Sequence, residues 1–353
     1  ATHTVEELSQ RSDHWLNAMG RIPHPMVLRP GSTHYAPIAW DDAFRIIGDK
    51  LRALSSPNEA IFYTSGKAVN ESAFVFQLLA RAFGTNNLPD CSNMCHESSG
   101  LALTKTLGIG KSTVTLDDLE NADCIVEIGH NPGTNHPRML TSLQIAKERG
   151  AKMIAVNPLP EVSLFRFAHP QKPWQWLGKG TALADLYLQV RVNGDIALVK
   201  GFIKGLFELE DANPGTVLDR PFIEHYTSGF EALEASIRAC SWESIVEGSG
   251  IDLPAIRAAA AMLATAKRTI MAWCMGLTQH HNGVENIQEM VNLLLLRGNM
   301  GRAGAGALCI RGHSNVQGDR TMGIWEKMDD AFLDRLRDEF HFEPPREHGY
   351  DTI

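Results

Sequence analysis

Five times along this chain a short apolar run ends on Gly, Asn or Pro, and a helix-like pattern follows. The runs are residues 60–64 before Ser65-Gly66, 124–128 before Gly129-His130-Asn131, and 152–156 before Asn157-Pro158. The other two are the alternating Leu186, Leu188, Val190 and Val192 before Gly194-Asp195, and 269–275 before Gly276. The segments between them carry apolar residues at helical spacing: 41–54, 70–83, 135–149, 195–206, 254–267 and 282–297. Asn70 and Asp252 stand at helix starts, and Gly84, Gly150 and Gly298 at helix stops. Strands that alternate with helices predict an α/β fold with a mainly parallel sheet covered on both faces. Such sheets bind ligands outside the carboxyl ends of their strands. Glycine lets a backbone approach a phosphate, and helix N-termini offer N–H groups to anions. Any one of these turns also reads simply as a tight strand–helix turn. Five together suit a large anionic nucleotide. No GxGxxG fingerprint is present.

The chain has 353 residues, enough for two domains, and a net charge of -8. That balance excludes a nucleic-acid surface, which needs a basic face. No apolar run reaches membrane-spanning length and no leader pattern is present. The six cysteines, with no CxxC pair, are not a disulfide framework. A reducing, cytoplasmic setting fits. The stretch before residue 37 reads as an extended approach with one short helix near 5–19. The last helix expected is 326–340.

Three polar clusters carry candidate chemistry. In Asp90-Cys91-Ser92-Asn93-Met94-Cys95-His96-Glu97, a thiol is followed directly by an imidazole and then by small residues that open a helix. A helix N-terminus would favour the thiolate of Cys95, the form that attacks or binds metal. The competing reading makes Cys95 a small buried hydrophobe. Arg311-Gly312-His313-Ser314-Asn315-Val316-Gln317-Gly318-Asp319-Arg320 holds cations, an imidazole and amides, with Val316 its single large apolar residue. It suits clamping of a carboxylate or phosphate, or it is a solvated loop. Gln279-His280-His281 is a smaller cluster. Its histidines lack the partners of a four-ligand zinc set.

With these residues in view, the chain resembles the catalytic subunit of molybdopterin oxidoreductases, the group of formate dehydrogenases, nitrate reductases and dimethyl sulfoxide reductase. The matching segments are Cys95-His96, Gly129-His130-Asn131-Pro132 with His136-Pro137, Gly194-Asp195, Met275-Gly276-Leu277-Thr278-Gln279, Gly298-Asn299-Met300-Gly301, and Arg311-Gly312 with Asn315-Val316-Gln317-Gly318. They run in family order from about residue 37 to 323. The Cys-Ser-Asn-Met-Cys-His-Glu and Arg-Gly-His-Ser-Asn-Val-Gln-Gly-Asp-Arg loops look most like the formate-dehydrogenase-like branch of YdeP type.

The resemblance implies two αβα domains around a molybdenum bis(molybdopterin guanine dinucleotide). One would be discontinuous, 37–90 plus 316–353; the other, 91–315, would be dinucleotide-binding-like; 1–36 would be the approach. Cys95 would ligate molybdenum, His96 would be proton acceptor or electrostatic partner, and Arg311 would orient the substrate carboxylate. Gly129, Asn131, Asn157, Asp195, Gly276, Gln279 and Gln317 fall where the family contacts the pterin and nucleotide. Asn157 departs from the acidic residue many relatives carry. The expected function is a molybdenum-dependent oxidoreductase of formate dehydrogenase type acting on a small oxyanion, with an electron-transfer partner and no nucleic acid or membrane span. Family chains continue past the position of Ile353, so the chain is expected to be the central portion of a longer catalytic subunit and inactive alone. An iron–sulfur cluster would sit only in an N-terminal part, since no cysteine precedes Cys91. The alternative is a non-catalytic guanine-dinucleotide-binding or regulatory protein on the same scaffold.

Overall fold

A computed structural model describes residues 2–352. It divides into two compact units. The larger comprises Thr64–Ser72 and Asp90–Met322 with residue 352. Its centre is a five-stranded parallel sheet of β1 (Cys124–Ile128), β2 (Lys152–Val156), β3 (Leu186–Leu188), β4 (Thr269–Trp273) and β5 (Gly306–Cys309). The spatial order is β3-β2-β1-β4-β5. The chain builds outwards from β1 on one side, then returns and builds outwards on the other. The order reverses between β1 and β4, which pair from Cys124↔Thr269 to Ile128↔Trp273. In doubly wound sheets that reversal opens the ligand crevice.

Every residue of β1 and β4 is buried, as expected where helices cover both faces. Side chains alternate between the faces. Val126 and Ile128 join a cluster with Phe202, Ile256 and Met290, from helices α1 (Asp195–Ala212), α2 (Leu253–Thr265) and α3 (Gly283–Leu296). Ile125 joins Leu143 and Met153 on the other face, where Met139–Glu148 packs. Local signals set the helix ends. Asp252 accepts from the Ala255 backbone N–H at 2.9 Å, and Gly150, at φ +99°, follows Met139–Glu148.

Several expectations need correction. Residues 60–64 are not a strand. The stretch lies beside residues 87–90, with the Phe62 N–H donating to the Asn87 carbonyl (2.9 Å) and Thr64 making an isolated bridge to Asp90, but these contacts do not extend into a ladder and Ile61 is 63% exposed. The alternation over 186–192 pairs only through Leu188, and Val192 is exposed beyond it. Strand β5 was hidden by its glycine-rich approach, where Gly306 takes φ +144°.

In the other unit, which contains Ala73–Pro89 and Gly323–Asp351, Arg81 is fully buried. It donates to Gln77 Oε1 (2.6 Å), Asn86 Oδ1 (3.0 Å), and the carbonyls of Gly323 (2.8 Å) and Trp325 (2.9 Å). The helix expected over 41–54 forms as Trp40–Arg52, but its apolar residues Phe44 and Ile47 are exposed. The N-terminal stretch has two short helices, Val5–Ser9 and Asp13–Ala18, where one was expected. It also holds a two-stranded antiparallel ribbon, Met26–Val27 with Ala36–Pro37. The last helix is Asp330–Phe340.

Candidate active site at the reversal of strand order

The loops after β1 and β4 touch through bare backbone. The Gly276 N–H donates to the Gly129 carbonyl at 3.0 Å, and Gly129 sits at φ +61°. A Cβ on Gly276 would lie 2.6 Å from the Gly129 oxygen, and one on Gly129 2.8 Å from the Gly276 carbonyl carbon. Only glycine fits on either side.

Beside this crossing stands the cysteine loop. Ser92–Cys95 is one helical turn, Glu97–Leu107 is a helix, and His96 links them at φ -137°. The loop is tied to the segment after β4 by its main chain. Thr278 Oγ1 donates to the Cys95 carbonyl (2.5 Å) and Gln279 Nε2 to the Met94 carbonyl (2.6 Å). Cys95 ends one helical turn and stands directly before His96, the N-cap of Glu97–Leu107. Its thiol pKa is raised, by burial first, with the Arg311 cation pulling it down. The helix expected after Cys95-His96 is present as Glu97–Leu107, and the backbone N–H groups of Cys95 and His96 pull the thiol pKa down, but burial outweighs them and the expected thiolate is corrected.

His96 is completely buried. Its Nδ1 lies 3.0 Å from Ser99 Oγ, which accepts from Trp273 Nε1 at 2.9 Å. The serine oxygen can accept from the indole and still either donate to or accept from Nδ1, according to the imidazole tautomer, while His96 Nε2 is buried without a partner. Burial, then the charge of Arg311, push the His96 pKa down to about 4.

Arg311 follows β5. Its guanidinium donates to the Gly110 carbonyl at 3.3 Å, while its Nε is buried without a partner. The loop that follows is anchored and not merely solvated. Asn315 donates to the Gly66 carbonyl (2.8 Å, backbone) and the Ala68 carbonyl (2.7 Å, side chain). Arg320 pairs with Asp90 and, at 2.7 Å, with Glu97. A cavity of about 800 Å³ opens here, lined by Arg311, His136, Ser112, Ser314, Asn315 and Gln317 among others.

Cys95 and His96 both lie within the field of the Arg311 cation, Gln279 holds the cysteine loop, Gly129 and Gly276 cross each other, and Gln317 lines the cavity with Arg311, whereas Cys95 and His96 are not on its wall. Asn131 caps the turn at Pro132–Asn135, accepting from the Thr134 N–H (3.1 Å), and its amide pairs with Glu161. Asn157, at the tip of β2, donates to the His130 carbonyl (3.2 Å). Asp195 is set apart from Cys95. It begins α1, is buried, and has His280 3.8 Å away. Burial raises its pKa to about 6, with His280 opposing. A second hollow of about 640 Å³ lies at the tips of β2 and β3, lined by Pro158, Gln189, Arg191 and Asp252 among others.

Sequence reasoning missed a set of residues behind Arg311. Glu127 of β1 is fully buried and pairs with His130 Nδ1. His130 Nε2 lies 2.7 Å from His136 Nδ1, and His136 Nε2 is 2.8 Å from the Arg311 carbonyl. The available signal was Glu127 itself, a charge inside an otherwise apolar strand, three residues before a histidine. Among the described residues, the His/Cys group that converges is His130, His136 and Cys274, not His280 and His281.

Comparison with known proteins agrees with this arrangement. The family model described as molybdopterin oxidoreductase matches residues 21–324. An uncharacterised oxidoreductase of Mycobacterium tuberculosis is 53% identical over 353 residues, which are 100% of this chain and 45% of that protein. Protein YdeP of Escherichia coli is 48% identical over 358 residues (100% and 47%). F420-dependent formate dehydrogenase 1 subunit alpha of Methanococcus maripaludis is 32% identical over 304 residues (86% and 41%). The chain spans about half the length of the curated relatives it matches. Acetylene hydratase from Pelobacter acetylenicus shares the fold, with a TM-score of 0.62 at 22% identity over 79% of this chain and 35% of that one. A parallel sheet whose order reverses beside a cysteine–histidine loop, together with a family model that covers most of the sequence, makes this chain a member of the molybdopterin oxidoreductase family.

Proposed function

We propose that this chain is the central part of a molybdenum oxidoreductase of formate dehydrogenase type, acting on a small oxyanion such as formate. The observation that carries the reading is the grouping of a half-buried thiol, a buried neutral imidazole and an arginine whose Nε lacks a partner. The family implies a molybdenum–pterin cofactor, and the residues fit one. Cys95 offers a soft donor suited to a soft metal, and a cation there would reverse the thiol's preference for its proton. The glycine crossing gives flat backbone against which a large ring system can lie.

When bound, the group supplies two-electron redox chemistry. The chain's own residues bind and orient. Arg311 presents a planar fork to a carboxylate or related oxyanion. His96, held neutral at pH 7 by burial, keeps an unpartnered Nε2 that can serve as a polar contact. Gly129, Asn131, Asn157, Asp195, Gly276, Gln279 and Gln317 are assigned to the pterin and to guanine dinucleotide tails. In this assignment Asp195 accepts from guanine N–H groups. We assign a cytoplasmic setting with a separate electron-transfer partner, and any iron–sulfur cluster to chain outside these residues. Among the described residues no helix is long and apolar enough to cross a membrane.

The test uses the full-length protein, assayed for molybdenum and for formate-dependent viologen reduction. Cys95→Ser is expected to lower activity by at least about 100-fold. Arg311→Ala is expected to raise KM for formate about 10-fold or more, as loss of a charge-assisted contact. Full activity in Cys95→Ser, or guanine nucleotide without molybdenum in the wild type, would overturn the reading.

A further inference from the structure

The Glu127–His130–His136 chain behind Arg311 is not part of the assignment above, and its hydrogen bonds fix its proton count. A carbonyl oxygen only accepts, so His136 Nε2 must carry the hydrogen in its bond to Arg311. One hydrogen lies between His136 Nδ1 and His130 Nε2, and one between His130 Nδ1 and Glu127. Three hydrogens serve three bonds, whichever heavy atom holds each. With a proton on Glu127, all three groups are neutral. With it passed to His130 Nδ1, and the shared proton passed from His130 Nε2 to His136 Nδ1, Glu127 is a carboxylate and His136 an imidazolium. No bond is lost, the net charge stays zero, and one positive charge has moved towards the cavity.

The surroundings allow both states. Glu127 Oε2 is buried with no partner, which disfavours a permanent carboxylate. Cys274, the nearest thiol, is held protonated by burial, with a pKa near 11. Asn157 meets His130 only at its carbonyl. His136 lines the same cavity as Arg311, so an anion bound there faces the imidazole that would gain charge. A metal ion does not explain the cluster, because 2.7 Å between the two ring nitrogens is shorter than the roughly 3.3 Å that two nitrogens on one tetrahedral zinc require.

We propose that Glu127, His130 and His136 form a charge-shifting support for the anion site: when an oxyanion enters the cavity, one positive charge moves to His136 and one negative charge to Glu127, with no proton exchanged with solvent. This rests on the oxyanion reading of the site. It makes these three positioning residues that raise affinity for an anion over a neutral molecule of the same shape.

The test uses full-length protein labelled with ¹⁵N-histidine, to which formate, nitrate and sulfate are added separately. Binding is measured by calorimetry in two buffers of different ionisation enthalpy. The expected result is a shift of the His136 nitrogens to imidazolium values on anion binding, with the same heat in both buffers. Glu127→Gln can keep all three bonds, its amide donating to His130 Nδ1, but it cannot release a proton. It is expected to retain the wild-type melting temperature, lose the His136 response and bind the anion about 10-fold more weakly. Binding without a change at His136 overturns the proposal and leaves the oxyanion reading standing. A response to nitrate or sulfate but not formate supports the proposal and removes formate as substrate. If none of the three anions binds, both fall. Should Glu127→Gln fail to fold, the wild-type spectra alone decide.

Discussion

Asp195 shows how a single residue records the conflict between folding and binding. It is a buried carboxyl whose pKa is raised to about 6, above the ordinary 3.8. Between those values the folded state holds the proton more tightly, so stability falls as pH rises through this window. Asn does not titrate. Asp195→Asn is therefore expected to gain stability relative to wild type by about 1–3 kcal/mol between pH 4 and pH 7, as read by urea unfolding at the two pH values. On the proposed reading of Asp195 as acceptor for guanine N–H groups, the variant's binding of guanine nucleotide, measured by calorimetry, is expected to weaken, since an amide cannot accept from both N–H groups as a carboxylate can. Cys95 and Arg311 stood out in the sequence as candidates because their neighbours were unusual for loops. The protonation of Cys95 was not, because a thiol's pKa depends on burial, and burial is set by residues far away in the chain.

At the scale of elements, the strands of the central sheet that read well were those buried on both faces. Cys124–Ile128 and Lys152–Val156 were bounded to the residue because a short apolar run, broken only by Glu127 in one and led by Lys152 in the other, has one reading between turn signals. Residues 60–64 had the same look and failed, since pairing partners are not written in local sequence. Gly306–Cys309 was missed for the opposite reason, being short and glycine-led. The loops between strands make their own prediction. Gly276→Ala drives a Cβ to 2.6 Å from the Gly129 oxygen and is expected to cost about 1–3 kcal/mol, or more if the turn cannot shift. Gly100→Ala, within Glu97–Leu107 with nothing within 4 Å, is expected to gain about 0.5–1 kcal/mol. Chemical unfolding of the two variants side by side checks the contrast.

For the whole molecule, the β3-β2-β1-β4-β5 order puts the smaller hollow at the tips of β2 and β3, and the larger cavity beside edge strand β5 and the loop that follows it. The sequence carried the strand–helix alternation but not the order, which depends on which helix covers which face. It carried the family through scattered short segments, each weak alone. A ligand that binds only the folded state stabilises it, by about 2.7 kcal/mol at one hundred times its dissociation constant. Removing molybdenum and pterin from the full-length protein is expected to lower its melting temperature by several degrees, and reloading should restore it. An unchanged midpoint would mean the cofactor is not held by these strand tips.

Thr278 and Gln279 grip the cysteine loop through the carbonyls of residues 95 and 94. A peptide oxygen is the same in every amino acid. The seat of the loop is thereby independent of what side chain it displays, and position 95 can be exchanged while its neighbours keep station. Sulfur, selenium, a hydroxyl or a carboxylate could each be shown to the same centre from the same point in space. On the proposed reading of Cys95 as a metal ligand, a change of donor atom on this scaffold is a change of one letter.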